Sequence, residues 1–197
     1  MDSLGALSVP SDKIVLVEGT VYCRKLYFGH TSALALTRDV AFQHSYGRLI
    51  ELAAEGRDVS LPRRFYISRR DTTRRAMRDE SQFEAEMTAL GIVPVVLSQL
   101  NLLQKVDLFQ NADLVVGAHG AGLSHLVFAK PGLQVIEIMP ASKHRIMEMG
   151  IRVCFSAIAR VKGLDYTMIL TTMDPKTGMW SGSDQLTQAI AANARPA

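Results

Sequence analysis

The chemistry in this sequence is concentrated in one glycine-rich turn, VVGAHGAGLSHLVF at 115–128. A run of β-forming residues ends at Gly117 and a helical pattern begins near Gly122. Gly117, Gly120 and Gly122 allow tight turning and close approach of a ligand to the backbone. The first amides of a helix have no partner within it and carry partial positive charge, which suits a phosphate or pyrophosphate. Ser124, in the first turn, adds a hydroxyl. His119 stands at the turn itself, where an imidazole can hydrogen-bond a phosphate oxygen or a leaving group. A tight βα turn capped by His119, with no ligand, is the alternative. The glycines fall three and two residues apart, which is not the G-x-G-x-x-G spacing of dinucleotide folds, so NAD is disfavoured.

Two further features belong with the turn. Glu137 interrupts an apolar run, VIEIM, where an unpaired carboxylate would be costly. It either accepts hydrogen bonds from ribose hydroxyls, as acidic residues do in other nucleotide sites, or it pairs with an arginine or caps a helix. Arg69 and Arg70 directly follow the strand-like RFYIS, which puts them on the same face of the sheet as the glycine turn. An arginine there can hold a pyrophosphate bidentately and stabilise its charge as it leaves. They belong to a dense run of arginines between Arg63 and Arg78, although the formal net charge of the chain is only +3. Without a nucleic-acid-binding signature the run gives no reason to expect a nucleic-acid partner.

The elements that must position these residues alternate. Strand patterns cover 64–68, 93–97, 113–118, 133–139 and 166–170. Helical patterns cover 80–90, 100–111, 122–128, 144–163 and 184–192. Pro94 suggests that the second of these strands lies at an edge or starts irregularly. Residues 113–118 are apolar on both faces, as buried parallel strands are. Alternation of this kind predicts an α/β fold, a Rossmann-like parallel sheet flanked by helices, with ligands bound beyond the carboxyl ends of the strands. The first sixty residues read differently: strand-like at 13–17 and 26–28, helical over 34–55 with an interruption near Gly47, and a linker at 56–62.

Composition bounds the rest. A hydrophobic fraction of 48% fits a packed globular chain. No apolar run reaches the ~20 residues of a membrane span. The first residues have neither the basic nor the apolar region of a signal peptide, so a cytoplasmic location is expected. Cys23 and Cys154 are too few for a disulfide framework and are expected to be buried thiols.

The two blocks FYISRRDTTRRAMRDE and DLVVGAHGAGLSHLVFAKPGLQVIEIMP, in that order, resemble glycosyltransferase family 61 from about Phe65 onward. That family includes bacterial capsule-type enzymes, plant xylosyltransferases and animal O-linked N-acetylglucosaminyltransferases. The resemblance implies a GT-B architecture whose C-terminal half holds a nucleotide-diphosphate sugar. It also implies inverting transfer to a hydroxyl of a glycan or polysaccharide, without a cofactor or bound metal; no DxD motif is present.

By the same resemblance Ser68 and Arg69 match the family's Ser-Arg near the donor phosphates, and Arg75 a later arginine. His119, Gly120, Ala121 and Gly122 match its His-Gly-Ala-Gly turn, and Glu137 the glutamate expected at the nucleoside. The sequence departs from the family at His125 and at Asp79, where asparagine is common. Residues 1–60 resemble only the tail of an acceptor-side domain, and 61–197 form the nucleotide-sugar domain. A separate N-terminal half is then a candidate partner. No catalytic base is assigned; His30 is the first residue to test, with Asp39 and His44 behind it. A truncated or inactive nucleotide-binding module is the alternative function, and an arginine-rich nucleic-acid-associated protein a more remote one.

Overall fold

The computed structural model describes residues 2–25, 40–72, 76–141, 154–174 and 176–195. A short helix α1 (Asp2–Ala6) and a single 3-10 turn (Ser11–Lys13) precede helix α2 (Val40–Glu55). Five βα steps follow: β1 (Arg64–Ile67), α3 (Glu80–Ala89), β2 (Val93–Val95), α4 (Leu102–Gln110), β3 (Leu114–Ala118), a 3-10 helix (Ala121–Phe128), β4 (Gln134–Ala141), α5 (Cys154–Lys162), β5 (Asp165–Thr172) and α6 (Asp184–Asn193). The strands form one parallel sheet in the order β2-β1-β3-β4-β5. This is the expected Rossmann-like α/β architecture.

Alternation along the strands builds two cores. Phe65, Ile67, Val115 and Val135 point to a face covered by α2, α4, the 3-10 helix and α5, with Leu49, Phe109, Leu126 and Phe155 packed there. Tyr66, Val116, Ala118, Ile136 and Ile138 point to the opposite face, against Phe83 and Met87 of α3 and Leu186 and Ile190 of α6. Every residue of β3 is buried, which explains why LVVGA shows no polar alternation. Helix starts are fixed locally. Asn101 and Gln104 form a reciprocal capping box on α4, and Ser183 accepts from Leu186 N on α6.

Three expectations are corrected. Residues 13–17 form no strand: Val15 and Leu16 are 78% and 85% exposed, and among the described residues no strand offers them the ladder that a β conformation needs. Gly47 does not interrupt the helix, which runs through it. The ~1 kcal/mol cost of a mid-helix glycine is outweighed by burying Leu49 and Ala53. Cys23 is exposed and Cys154 only half-buried. Pro94 does lie in an edge strand, and β2 shortens to three residues around it. The strand pattern at 26–28, His30, Asp39, Arg75 and most of the helical pattern before Cys154 lie outside the described residues.

Candidate functional site

In a sheet of this order the chain leaves β1 toward β2 and then crosses back to place β3 on the other side of β1. The β1 and β3 carboxyl ends therefore diverge in their connections, and the crevice outside such a switch point is the usual ligand position in folds of this kind. Ile67 stands beside Gly117 in the register, so Ser68 and Arg69 on one side face the 118–122 turn on the other.

The glycines of that turn do separate jobs. A Cβ on Gly117 would come within 3.1 Å of Ile67 Cδ1, and one on Gly122 within 3.1 Å of Ile67 Cγ2 and 3.2 Å of Leu97 Cδ1. Both glycines let the turn close down on β1. A Cβ on Gly120 would sit 2.9 Å from Arg69 Nη1. Gly120 has extended backbone (φ 169°), so its small size, not its conformational freedom, is what the Arg69 guanidinium uses. The first bond within the 3-10 helix runs from Leu123 N to Gly120 O (3.0 Å), so the amides of Gly120, Ala121 and Gly122 precede the helix's own ladder. Ser124 closes the turn by donating its hydroxyl to Ala121 O (2.5 Å).

Arg69 is held from behind. Its amide and the Tyr66 hydroxyl both donate to Glu80 Oε1, at 2.8 and 2.9 Å. Burial pushes the Glu80 carboxyl above its ordinary range, and Oε2 is buried without a hydrogen-bond partner. The Tyr66 phenol is raised as well, chiefly by burial. Ser68 is buried; its amide donates to Val95 O (2.9 Å) and its hydroxyl oxygen accepts from Arg70 N (3.3 Å), so it shapes the loop that carries Arg69.

His119 and Glu137 come together. Gly117 and Glu137 are register partners on β3 and β4, which brings the residue two beyond Gly117 back over the strand end. His119 N donates to Ile138 O (2.8 Å), and its ring Nδ1 is hydrogen-bonded to Glu137 Oε1. The Tyr166 hydroxyl donates to Glu137 Oε2. Glu137 is wholly buried, and its pairing is with a histidine, not with an arginine or a helix end. In this arrangement it has no surface to offer a ribose. His119 side chain is 11% exposed, and its Nε2 has no hydrogen-bond partner among the described residues.

Much of the arginine run is committed elsewhere. Arg63 pairs with Asp113 through two bonds of 2.6 Å, Arg70 with Glu84 at 2.9 Å, and Arg78 with Asp174 at 3.2 Å. His125 stacks on Phe109 (5.5 Å between centroids), donates from Nδ1 to Gly122 O (3.1 Å), and is held below the ordinary imidazole range by burial. It is a packing residue of the turn. Among the described residues no three His, Cys, Asp or Glu side chains come together as a metal-ligand set, and no helix is long and apolar enough to cross a membrane.

Sequence reasoning singled out Arg69, His119, the glycines and Glu137, and the structure gathers them at one sheet edge. It missed Glu80 and Tyr166. Glu80 stands two residues beyond Arg78, the last of the arginine run, and opens α3, a visible signal. Tyr166 is one tyrosine in an ordinary strand pattern and gave none. A cavity of about 400 Å³ lies at the other end of the sheet, by Arg63, Asp113, Gly132 and Arg195, remote from these residues.

The parallel sheet, its strand order and its flanking helices define a Rossmann-like α/β domain. The sequence model of the family Glycosyltransferase 61 matches residues 1–136, and the chain belongs to that family. The match takes in the first sixty residues, beyond the stretch whose motifs suggested it, and stops one residue short of Glu137. Among curated relatives, a beta-1,2-xylosyltransferase of Oryza sativa subsp. japonica is 32% identical over 90 residues, covering 46% of this chain and 16% of that protein. A beta-1,2-xylosyltransferase of Arabidopsis thaliana is 34% identical over 77 residues, 39% of this chain and 13% of that protein. An EGF domain-specific O-linked N-acetylglucosamine transferase of Bos taurus is 30% identical over 91 residues, 46% of this chain and 15% of that protein. The matched segments thus span under a fifth of each of these relatives.

Proposed function

We propose that this chain carries the donor side of an inverting glycosyltransferase of GT-B type, which moves a sugar from a nucleotide-diphosphate sugar to a hydroxyl of a glycan or polysaccharide. The observation that carries the reading is the Arg69 guanidinium packed over Gly120 at the β1/β3 crevice. A diphosphate laid there meets a planar cation on one side and the Gly120–Gly122 amides on the other. In the transfer the acceptor oxygen attacks the anomeric carbon from the face opposite the diphosphate. The bond from that carbon to the β-phosphate oxygen breaks, and its electron pair leaves with the diphosphate. Arg69 and the turn amides stabilise the charge that develops, the part a metal plays in other transferases. The relatives, a xylosyltransferase and an N-acetylglucosamine transferase by name, make UDP-linked sugars the first donors to try. The reaction would run in the cytoplasm, with a separate N-terminal half as the wall that presents the acceptor and its base.

The test is a donor-hydrolysis screen across nucleotide sugars, comparing the chain with Arg69→Ala, alongside calorimetric titration with UDP and GDP. The expected result is binding and slow hydrolysis, both reduced about 10-fold or more by the substitution. Undiminished activity in Arg69→Ala, or no binding of either nucleotide at millimolar concentration, overturns the assignment. A module that holds nucleotide without transfer is the second reading. What favours it is that the matched segments cover only 13–16% of the full-length transferases. It predicts nucleotide binding with no hydrolysis of any donor.

A further inference from the structure

The donor reading needs Arg69 and the turn amides; it gives no reason for a carboxylate sealed beneath the turn. Placing a charge at Glu137, with no solvent contact, is costly unless both oxygens are satisfied. They are satisfied by two residues from different elements: His119 at the end of β3 and Tyr166 of β5. Tyr166 stands opposite Val135 in the β4/β5 register, two residues before Glu137 and on the same face, which is how its phenol reaches the carboxylate. Phe155 of α5 covers the His119 ring, with centroids 5.1 Å apart. Other titratable groups near this chain of contacts are Cys154 of α5, raised by burial and by Glu137, and Arg69 beside the neighbouring Gly120. Burial and Glu137 together hold the Tyr166 phenol far above its usual range, so it stays a donor.

Two donors converging on one carboxylate fix a direction. The phenol O–H points to Oε2, and Nδ1 of His119 carries its proton toward Oε1. The ring is then set as one tautomer in one orientation, as carboxylate-held histidines are in metal and hydrolase sites. We propose that Tyr166 is a positioning residue for the donor diphosphate: through Glu137 it holds His119 with Nδ1–H turned inward and Nε2 presented to the crevice. This rests on the donor reading above. With a proton on Nε2, His119 adds a charge-assisted hydrogen bond to a phosphate oxygen, and Glu137 supplies the counter-charge that keeps the buried pair neutral.

The experiment is a double-mutant cycle on the full chain, with Tyr166→Phe, His119→Ala and their combination, read by UDP and GDP titration. Nitrogen-15 NMR of labelled histidine reports the His119 tautomer without any ligand. Tyr166→Phe keeps the ring and should weaken nucleotide binding about 3- to 10-fold. In the His119→Ala background the same change should alter binding by less than about 2-fold. The wild-type His119 should appear as the Nδ1–H form, with Tyr166→Phe and Glu137→Gln each giving a mixture. Equal losses in both backgrounds would mean that Tyr166 acts only through packing and would overturn the proposal. So would a tautomer unchanged in both variants. Wild-type protein that binds neither nucleotide would instead bring down the donor reading itself, a distinct result.

Discussion

Gly120→Ala separates the role of Arg69 in the site from any role in the fold. The added methyl would lie 2.9 Å from Arg69 Nη1, where an ordinary contact needs about 3.5 Å. The guanidinium must therefore retreat by about 0.6 Å from the position it occupies over the turn. It is the end of a flexible side chain, and Gly120 has an extended backbone that alanine adopts without strain. Folding should barely register the change: alanine restricts the unfolded chain by about 0.4–1 kcal/mol, which offsets the shift of Arg69. We expect Tm to stay within about 3 °C. Binding should register it strongly, because a charge-assisted hydrogen bond is worth about 1.5–3 kcal/mol, or roughly 10- to 100-fold in Kd. The control is Gly122→Ala, whose methyl meets Ile67 and Leu97 at 3.1 and 3.2 Å in the packed interior. Overpacking there costs about 1–3 kcal/mol and should lower Tm by about 3–10 °C. Thermal melts and calorimetric titration with UDP give both quantities on the same samples. If Gly120→Ala binds UDP as wild type does, Arg69 is not a phosphate ligand.

Glu80→Gln should become increasingly more stable than wild type as pH rises from 4.5 to 7 in thermal melts. The native carboxyl is raised by burial, so wild type loses stability as pH climbs through that raised value, whereas the amide carries no such penalty and still accepts from Tyr66 and Arg69. His125 has the opposite acid dependence: its native imidazole is depressed by burial, so stability falls as pH drops below the ordinary value of 6.5. His125→Asn should remove that part of the acid-induced loss in melts between pH 7 and 5, and leave UDP affinity at neutral pH within about 2-fold.

The βα rhythm was legible because buried parallel strands and amphipathic helices leave strong, opposite patterns. DLVVGA and VIEIM could hardly be anything but interior strands. The glycine turn was legible too, although two of its glycines answer to Ile67 and not to a ligand, a distinction that depends on the register between β1 and β3. Glu137 was rightly flagged as an anomaly within an apolar run. Its partners could not be named, because sequence does not say which strand lies beside β4 or that Tyr166 falls on the same face. The strand expected at 13–17 failed for a related reason: KIVLV has the composition of a strand, but among the described residues no sheet edge receives it. The arginine run looked like a single cationic face turned to phosphate, and the fold instead pairs much of it with Asp113, Glu84 and Asp174, carboxylates between 14 and 96 residues away along the chain.

Ile67 touches the positions of both Gly117 and Gly122 and is followed immediately by the Ser68-Arg69 loop. The spacing between the end of β1 and the turn is thus gauged by a hydrocarbon wedge. Acid, salt and ionic strength act on charges and leave such a wedge alone. Raising salt should then weaken a bound diphosphate while the width of its cradle stays constant, and trimming one methyl from Ile67 should loosen the cradle at any salt.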